Sequence, residues 1–181
     1  TREADIEGVD FSRKEKKLLS VTWTTDKNQH HFFDSDAEAV MTFLKEKLPG
    51  YEVTLAGYNR NEDKLIVRTY NDRSRGAYYF FDRNTKELRL LAELAPWLKE
   101  EELAEMKPVS YTSRDGLLIH GYLTLPKGAK PKNLPVVVNP HGGPWARDYW
   151  GFNPEVQFLA NNGYAVLQMN FRGSTGYGRA F

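Results

Sequence analysis

The sequence predicts a mixed architecture, with small antiparallel sheets in its first hundred residues and alternating strands and helices after them. Three observations carry this. Four short strand-like runs follow one another at even spacing between residues 52 and 92, a charged segment interrupts the pattern near residues 97–107, and an apolar run, a capped helix and a second apolar run then succeed one another.

Leu18 to Thr24 and His30 to Phe33 read as strands around the polar turn Thr25 to Asn28, which is a hairpin pattern. Ser35 with Glu38 forms a capping box, and Ala39, Val40, Phe43, Leu44 and Leu48 recur at helical spacing until Pro49-Gly50 stops the element. Glu52 to Tyr58, Lys64 to Tyr70, Gly76 to Phe81 and Leu88 to Ala92 are the four even strands, an arrangement expected of a meander or a propeller blade. Tyr78, Tyr79, Phe80 and Phe81 make that third strand apolar on both faces, which predicts a sheet stacked between two others.

Ala95-Pro96 and the charged residues from Lys99 to Lys107 mark the expected boundary, giving one unit over 1–98 and another over 99–181. Val109 to Thr112 and Leu117 to Leu125 flank Asp115-Gly116, a strong hairpin signal. Val136 to Val138 reads as a buried strand. Asn153 caps a helix with Pro154 at its first position, Val156, Leu159 and Ala160 on one face and Gly163 past its end, and Tyr164 to Met169 is a further buried strand. This order fits a right-handed βαβ unit in a largely parallel sheet.

Composition narrows the function. The 25 basic and 24 acidic residues are well mixed and leave a formal charge of +1, so no one-sided basic face marks a nucleic-acid binder. No apolar run approaches the roughly 20 residues of a membrane span, and Thr1 to Asp5 has no apolar signal region. A soluble chain is expected, with cytoplasm and periplasm both open. The absence of cysteine removes disulfides and thiolate metal sites.

The chemistry-bearing stretch is Pro140-His141-Gly142-Gly143-Pro144, reached directly from the apolar run at Val136. A Gly-Gly turn after a buried strand brings backbone N–H groups where α/β-hydrolases build part of the oxyanion hole, and Gly143 is the expected donor. His141 and Gly142 would shape that loop. Ser174, within Gly173-Ser174-Thr175-Gly176, fails the nucleophile-elbow pattern because position 172 is Arg172, so it reads as part of a structural loop. Arg172 is open to a structural salt bridge or to holding a substrate carboxylate. His141 precedes every candidate partner, the reverse of the hydrolase order of serine, acid, histidine. Trp145, Tyr149 and Trp150 either wall a substrate pocket or pack the loop on its neighbour. His30 and His31 with Asp34 and Asp36 suggest a metal site, but adjacent strand residues point to opposite faces, so no metal is assigned. His120 lies in a strand without an evident partner.

These residues resemble the prolyl oligopeptidase family of serine peptidases, most closely over Val136 to Gly178 through His141-Gly142-Gly143-Pro144 and the run from Asn170 to Gly178. The His-Gly-Gly-Pro form resembles the acylaminoacyl-peptidase and dipeptidyl-peptidase branches. The resemblance implies the C-terminal blades of an antiparallel β-propeller followed by the N-terminal part of an α/β-hydrolase domain, left incomplete. It further implies hydrolysis of short peptides by acyl transfer to a serine, a propeller that restricts access, and no metal or organic cofactor. The triad would lie beyond the point matching Phe181, leaving this chain inactive by itself. Two other classes stay open: a carboxylesterase, whose loop usually has a third glycine where Pro144 stands, and a non-catalytic module that self-associates through an unfinished sheet edge.

Overall fold

The computed structural model describes residues 4–143 and 145–181, so Pro144 and residues 1–3 lie outside the described residues. Three sheets succeed one another along the chain. The first contains β1 (Gly8–Ser12), β2 (Lys17–Thr24) and β3 (Asn28–Phe32), each antiparallel to the next. Strand β1 was not legible in the sequence, because Val9 and Phe11 are both exposed and so give no burial alternation. Pairing with β2 defines it, through a register shift between Asp10 and Phe11.

Helix α1 (Ser35–Lys47) follows. Its cap lies one residue earlier than the capping box predicts. Asp34 keeps an extended backbone and its Oδ1 accepts the N–H of Ala37 at 2.8 Å, which moves Ser35 inside the first turn. Lys17 reaches the other carboxylate oxygen at 2.6 Å, tying the cap to β2.

The second sheet is an antiparallel meander, β4 (Glu52–Tyr58), β5 (Lys64–Tyr70), β6 (Ala77–Asp82) and β7 (Leu88–Glu93). Val40, Met41 and Leu44 of α1, with Leu48 at its C-cap, pack against Val53, Leu65, Val67 and Phe81, and this is the main apolar cluster. Strand β6 is indeed apolar on both sides, but the two covers are not sheets. Helix α1 covers the face of Tyr79 and Phe81, with the rings of Phe43 and Phe81 5.4 Å apart. On the other face guanidinium groups stack on the rings, Arg68 5.4 Å from Tyr78 and Arg89 5.5 Å from Phe80. Planar cations can lie on aromatic faces while staying hydrated at their edges, so this side needs no apolar layer.

A short 3₁₀ turn at Glu100–Glu102 leads to the third sheet. Its strands are β8 (Met106–Thr112), β9 (Leu118–Thr124), β10 (Val136–Val138) and β11 (Ala165–Asn170), ordered β10-β11-β9-β8, with α2 (Pro154–Asn161) between β10 and β11. Asn153 caps α2 as its sequence predicts, accepting from Glu155 and Val156. Two expectations are corrected. The β10–β11 pair is parallel, whereas β9 runs antiparallel to both its neighbours, so the described sheet is not largely parallel. Val136 and Val138 are 57% and 53% exposed because β10 is the edge strand and is hydrogen-bonded on one side only. Gly121 lets β9 and β11 approach closely, since a Cβ there would lie 2.3 Å from the carbonyl oxygen of Gln168.

Polar side chains tie the segment between the second and third sheets into place. Gln157 of α2 is buried; its amide donates to the carbonyls of Asp72 and Ala104 at 3.0 and 2.8 Å and accepts from the Ala104 N–H at 2.9 Å. Asp72 in turn accepts from the Met106 N–H at 2.8 Å. No helix among the described residues is long and apolar enough to cross a membrane.

Two outcomes are expected. Phe81→Ala removes a fully buried ring from the α1 contact and should lower unfolding free energy by about 3–5 kcal/mol in denaturant titrations. Asp34→Ala should cost about 1 kcal/mol at neutral pH by loss of the cap. Lys17 above all, and then the Ala37 N–H, hold the Asp34 carboxyl below the ordinary carboxylate range. That stabilisation is present above the ordinary carboxylate pKa and is lost as pH falls through the lowered folded value. The difference between wild type and Asp34→Ala should therefore close in acid unfolding series.

Candidate active-site loops

Strand β10 continues for one more rung, the Asn139 N–H donating to Leu167 at 2.9 Å, before the chain turns through Pro140, His141, Gly142 and Gly143. Neighbouring β11 runs in the same direction and ends at Asn170, so its exit loop, Phe171 to Gly178, leaves at the same edge. In open α/β sheets, ligands gather where loops leave the carboxyl ends of parallel strands.

His141 joins the two loops. Its ring stacks on Phe171 at 4.3 Å and an interplanar angle of 15°, and its Nε2 lies 2.7 Å from the Ser174 hydroxyl. The other ring nitrogen is 2.8 Å from the Gly142 carbonyl oxygen. Ser174 is 5% exposed, and its Oγ donates to the Phe171 carbonyl at 2.6 Å. The single hydroxyl proton of Ser174 thus lies between two groups that can accept it, the Phe171 carbonyl and the His141 Nε2. The hydroxyl is buried within its own exit loop, and position 172 holds arginine where a nucleophile elbow has glycine, so this serine–histidine contact reads as a loop tie rather than a nucleophile and its base.

Gly142 and Gly143 are exposed, and among the described residues no acceptor takes the N–H of Gly143. Gly143 has φ +114°, and a Cβ there would lie 3.1 Å from the Trp145 nitrogen and 3.2 Å from the Ala146 Cβ. The conformation therefore demands glycine at 143. At Gly142 the space is open.

Beyond the turn lies a polar cluster that sequence reasoning missed. Arg147 is buried, donating to the carbonyls of Thr24 and Thr25 at 3.2 and 2.9 Å and to the Tyr177 hydroxyl at 2.9 Å. Asn170 is fully buried and grips Asp148 like a backbone partner: its Oδ1 accepts the Asp148 N–H at 2.7 Å and its Nδ2 donates to the Asp148 carbonyl at 3.2 Å. The same Nδ2 donates to the Tyr177 hydroxyl at 2.7 Å. Burial pushes the Asp148 carboxyl and the Tyr177 hydroxyl upward. The only available signal was a charged pair, Arg147-Asp148, set inside an aromatic run, and charge alone does not announce burial.

The remaining expected site residues scatter. Trp145 is 84% exposed. Tyr149 borders a cleft of about 930 Å³, shared with Glu7, Arg68, Tyr70, Trp150 and Gln168. Trp150 both lines this cleft and packs, donating to the Met106 carbonyl at 2.9 Å under the ammonium of Lys27. Arg172 pairs with Asp115 of the β8–β9 turn, both side chains being more than half exposed. His30 stacks on Phe32 and His31 meets Phe33, as alternation to opposite faces requires. Burial, followed by Lys45, holds the His30 pKa below its ordinary value. His120 finds its partner in Tyr177, the rings stacked 5.3 Å apart. No group of three or more histidine, aspartate or glutamate side chains suited to a metal ion forms among the described residues.

Comparison with known proteins bears on these loops. The profile of the prolyl oligopeptidase family matches residues 150–181. Dipeptidyl aminopeptidase BIII of Pseudoxanthomonas mexicana is 45% identical over 111 residues, covering 58% of this chain and 16% of that protein. Dipeptidyl peptidase family member 6 of Caenorhabditis elegans is 28% identical over 197 aligned positions, covering 97% of this chain and 27% of its own length. The structure of Pyrococcus horikoshii acylaminoacyl peptidase superposes with a TM-score of 0.64 at 21% identity, over 99% of this chain and 27% of that one, which shows a shared fold. The chain thus spans about a sixth to a quarter of the proteins it matches. Its sequence over residues 150–181 is thus similar to the prolyl oligopeptidase family, and its fold is shared with an acylaminoacyl peptidase.

Proposed function

We propose that this chain is part of a serine peptidase that hydrolyses short peptides by acyl transfer, and that Gly143 supplies a backbone N–H to its oxyanion hole. The observation that carries the reading is the exposed Gly142-Gly143 turn at the carboxyl end of a parallel strand, with no acceptor for the Gly143 N–H among the described residues. A donor without a partner, held by a backbone only glycine adopts, suits an oxygen that turns negative as the tetrahedral intermediate forms.

In this reading the nucleophile, its histidine and the acid lie elsewhere in the active polypeptide, because Ser174 is buried in a loop without the nucleophile-elbow pattern. The second oxyanion donor would be the N–H that follows the nucleophile. His141 and Gly142 shape the loop, Tyr149 contributes to substrate contact from the cleft wall, and the exposed indole of Trp145 is available to a substrate side chain. The chemistry needs no metal or organic cofactor. The same reading divides the chain into propeller blades over 1–98 and the start of a hydrolase domain over 99–181, the first limiting access to the second. This chain alone would be inactive.

One observation favours a second role. The exposed Val136 and Val138 on edge strand β10 would suit pairing with another chain, and sedimentation that changes with concentration would reveal it.

A fluorophosphonate probe applied to the full-length natural protein tests the main reading. A labelled serine outside residues 1–181 is the expected result; an unlabelled protein overturns it. In the labelled enzyme, Gly143→Val should lower kcat about 100-fold, as expected for loss of one oxyanion donor, while Gly142→Ala, in open space, should cost far less. Unchanged turnover in Gly143→Val would remove Gly143 from its role.

A further inference from the structure

The loop that carries Gly143 is held at both ends. Upstream, His141 is fixed to Phe171 and Ser174. Downstream, the Ala146 carbonyl accepts the Thr175 N–H at 2.9 Å, and Arg147 follows at once. Arg147 differs from the other anchors in reaching outside the third sheet. Its two terminal nitrogens donate to Thr24 and Thr25, where β2 turns into β3 of the first sheet. Its guanidinium lies between rings, 4.3 Å from Tyr177 and 5.0 Å from Tyr149, and its Nη1 is 3.8 Å from the Glu7 carboxylate. Gly176 leaves room for it, since a Cβ there would come within 2.7 Å of Nη1.

We propose that Arg147 is a positioning residue that makes the geometry of the Gly143 N–H depend on docking of the first sheet. It rests on the role proposed for Gly143. Three residues lie between the two, so a shift of the guanidinium is passed to the turn through a short segment anchored at Ala146. The planar fork is what the site uses, because two backbone carbonyls and a hydroxyl must be met at once in fixed directions. A lysine would keep the charge and lose that pattern. Small misplacements of catalytic groups by residues away from the chemistry can cost on the order of a hundredfold in rate.

The test uses the full-length enzyme. Arg147→Lys should lower kcat about tenfold to a hundredfold with KM within about threefold of wild type, and should slow fluorophosphonate labelling in parallel. Tyr177→Phe, which keeps the ring and removes one acceptor, should move both quantities in the same direction by less; it decides the matter should Arg147→Lys fail to fold. A folded Arg147→Lys variant that keeps wild-type kcat and labelling rate, whatever its melting temperature, overturns the proposal. Failure of the wild-type protein to label would instead count against the peptidase reading, so the two can fail separately.

Discussion

Parallel pairing of β10 with β11 is the constraint from which the candidate site follows. Two parallel neighbours must discharge their chains at the same edge of the sheet, and here those exits are the Gly142-Gly143 turn and the loop from Phe171 to Gly178. Antiparallel pairing would have sent them to opposite ends. The rest of the third sheet is antiparallel, so this single pair decides which loops can meet. Helix α2 makes the pairing possible by carrying the chain back to the start of β11, and its buried Gln157 ties that crossover to the segment leaving the second sheet.

Bringing two polar loops together has a physical cost, and the cluster around Arg147 and Asn170 shows how it is met. A buried guanidinium or carboxamide without partners would be strongly unfavourable. Arg147 instead meets four acceptors and two rings, and Asn170 satisfies both backbone groups of Asp148. Although the Asp148 Oδ2 is buried without a partner among the described residues, moving Arg147 or Asn170 would strand several paired groups at once, so the cluster resists small rearrangements. Directional bonds, more than apolar contact, fix the loops, whereas α1 and the second sheet are joined through an apolar cluster.

The sequence was most legible where burial follows a period. The four strands of the second sheet, the helix from Ser35, the Asp115-Gly116 hairpin and the Asn153-Pro154 cap all appear close to their expected positions. Errors arose where the period has no cause. Strand β1 is exposed on both Val9 and Phe11, and the apolar run at Val136 reads as buried although it forms an edge. The aromatic run in β6 signalled two covered faces but not what covers them, because a helix and a row of arginines satisfy the same pattern as two sheets. For the site, the Gly-Gly turn was readable since its residue type is tied to backbone conformation. Arg147 and Asn170 were not, because Arg147 meets carbonyls more than a hundred residues away and a hydroxyl 30 away, and the partners of Asn170 lie seven to twenty-two residues away.

That difference in reach also explains why the two ends of the Gly143 loop are built differently. His141 needs only the neighbouring exit loop, so a stacked ring and one hydroxyl hold it within the third sheet. The downstream end is tied to the same exit loop through Ala146 and to β11 through Asp148, and Arg147 adds an anchor from another layer. An arginine suits that role because its long side chain can cross the gap and its fork can use backbone carbonyls, which are fixed by the strands that carry them. The β2–β3 turn thereby acquires a reason to be ordered that the first sheet alone does not provide. Tyr122 of β9 adds a second link to that turn, its hydroxyl donating to the Asp26 carbonyl at 2.8 Å. The turn is therefore gripped from the sheet and from the loop at once, and the position of the glycine pair follows from the packing of both.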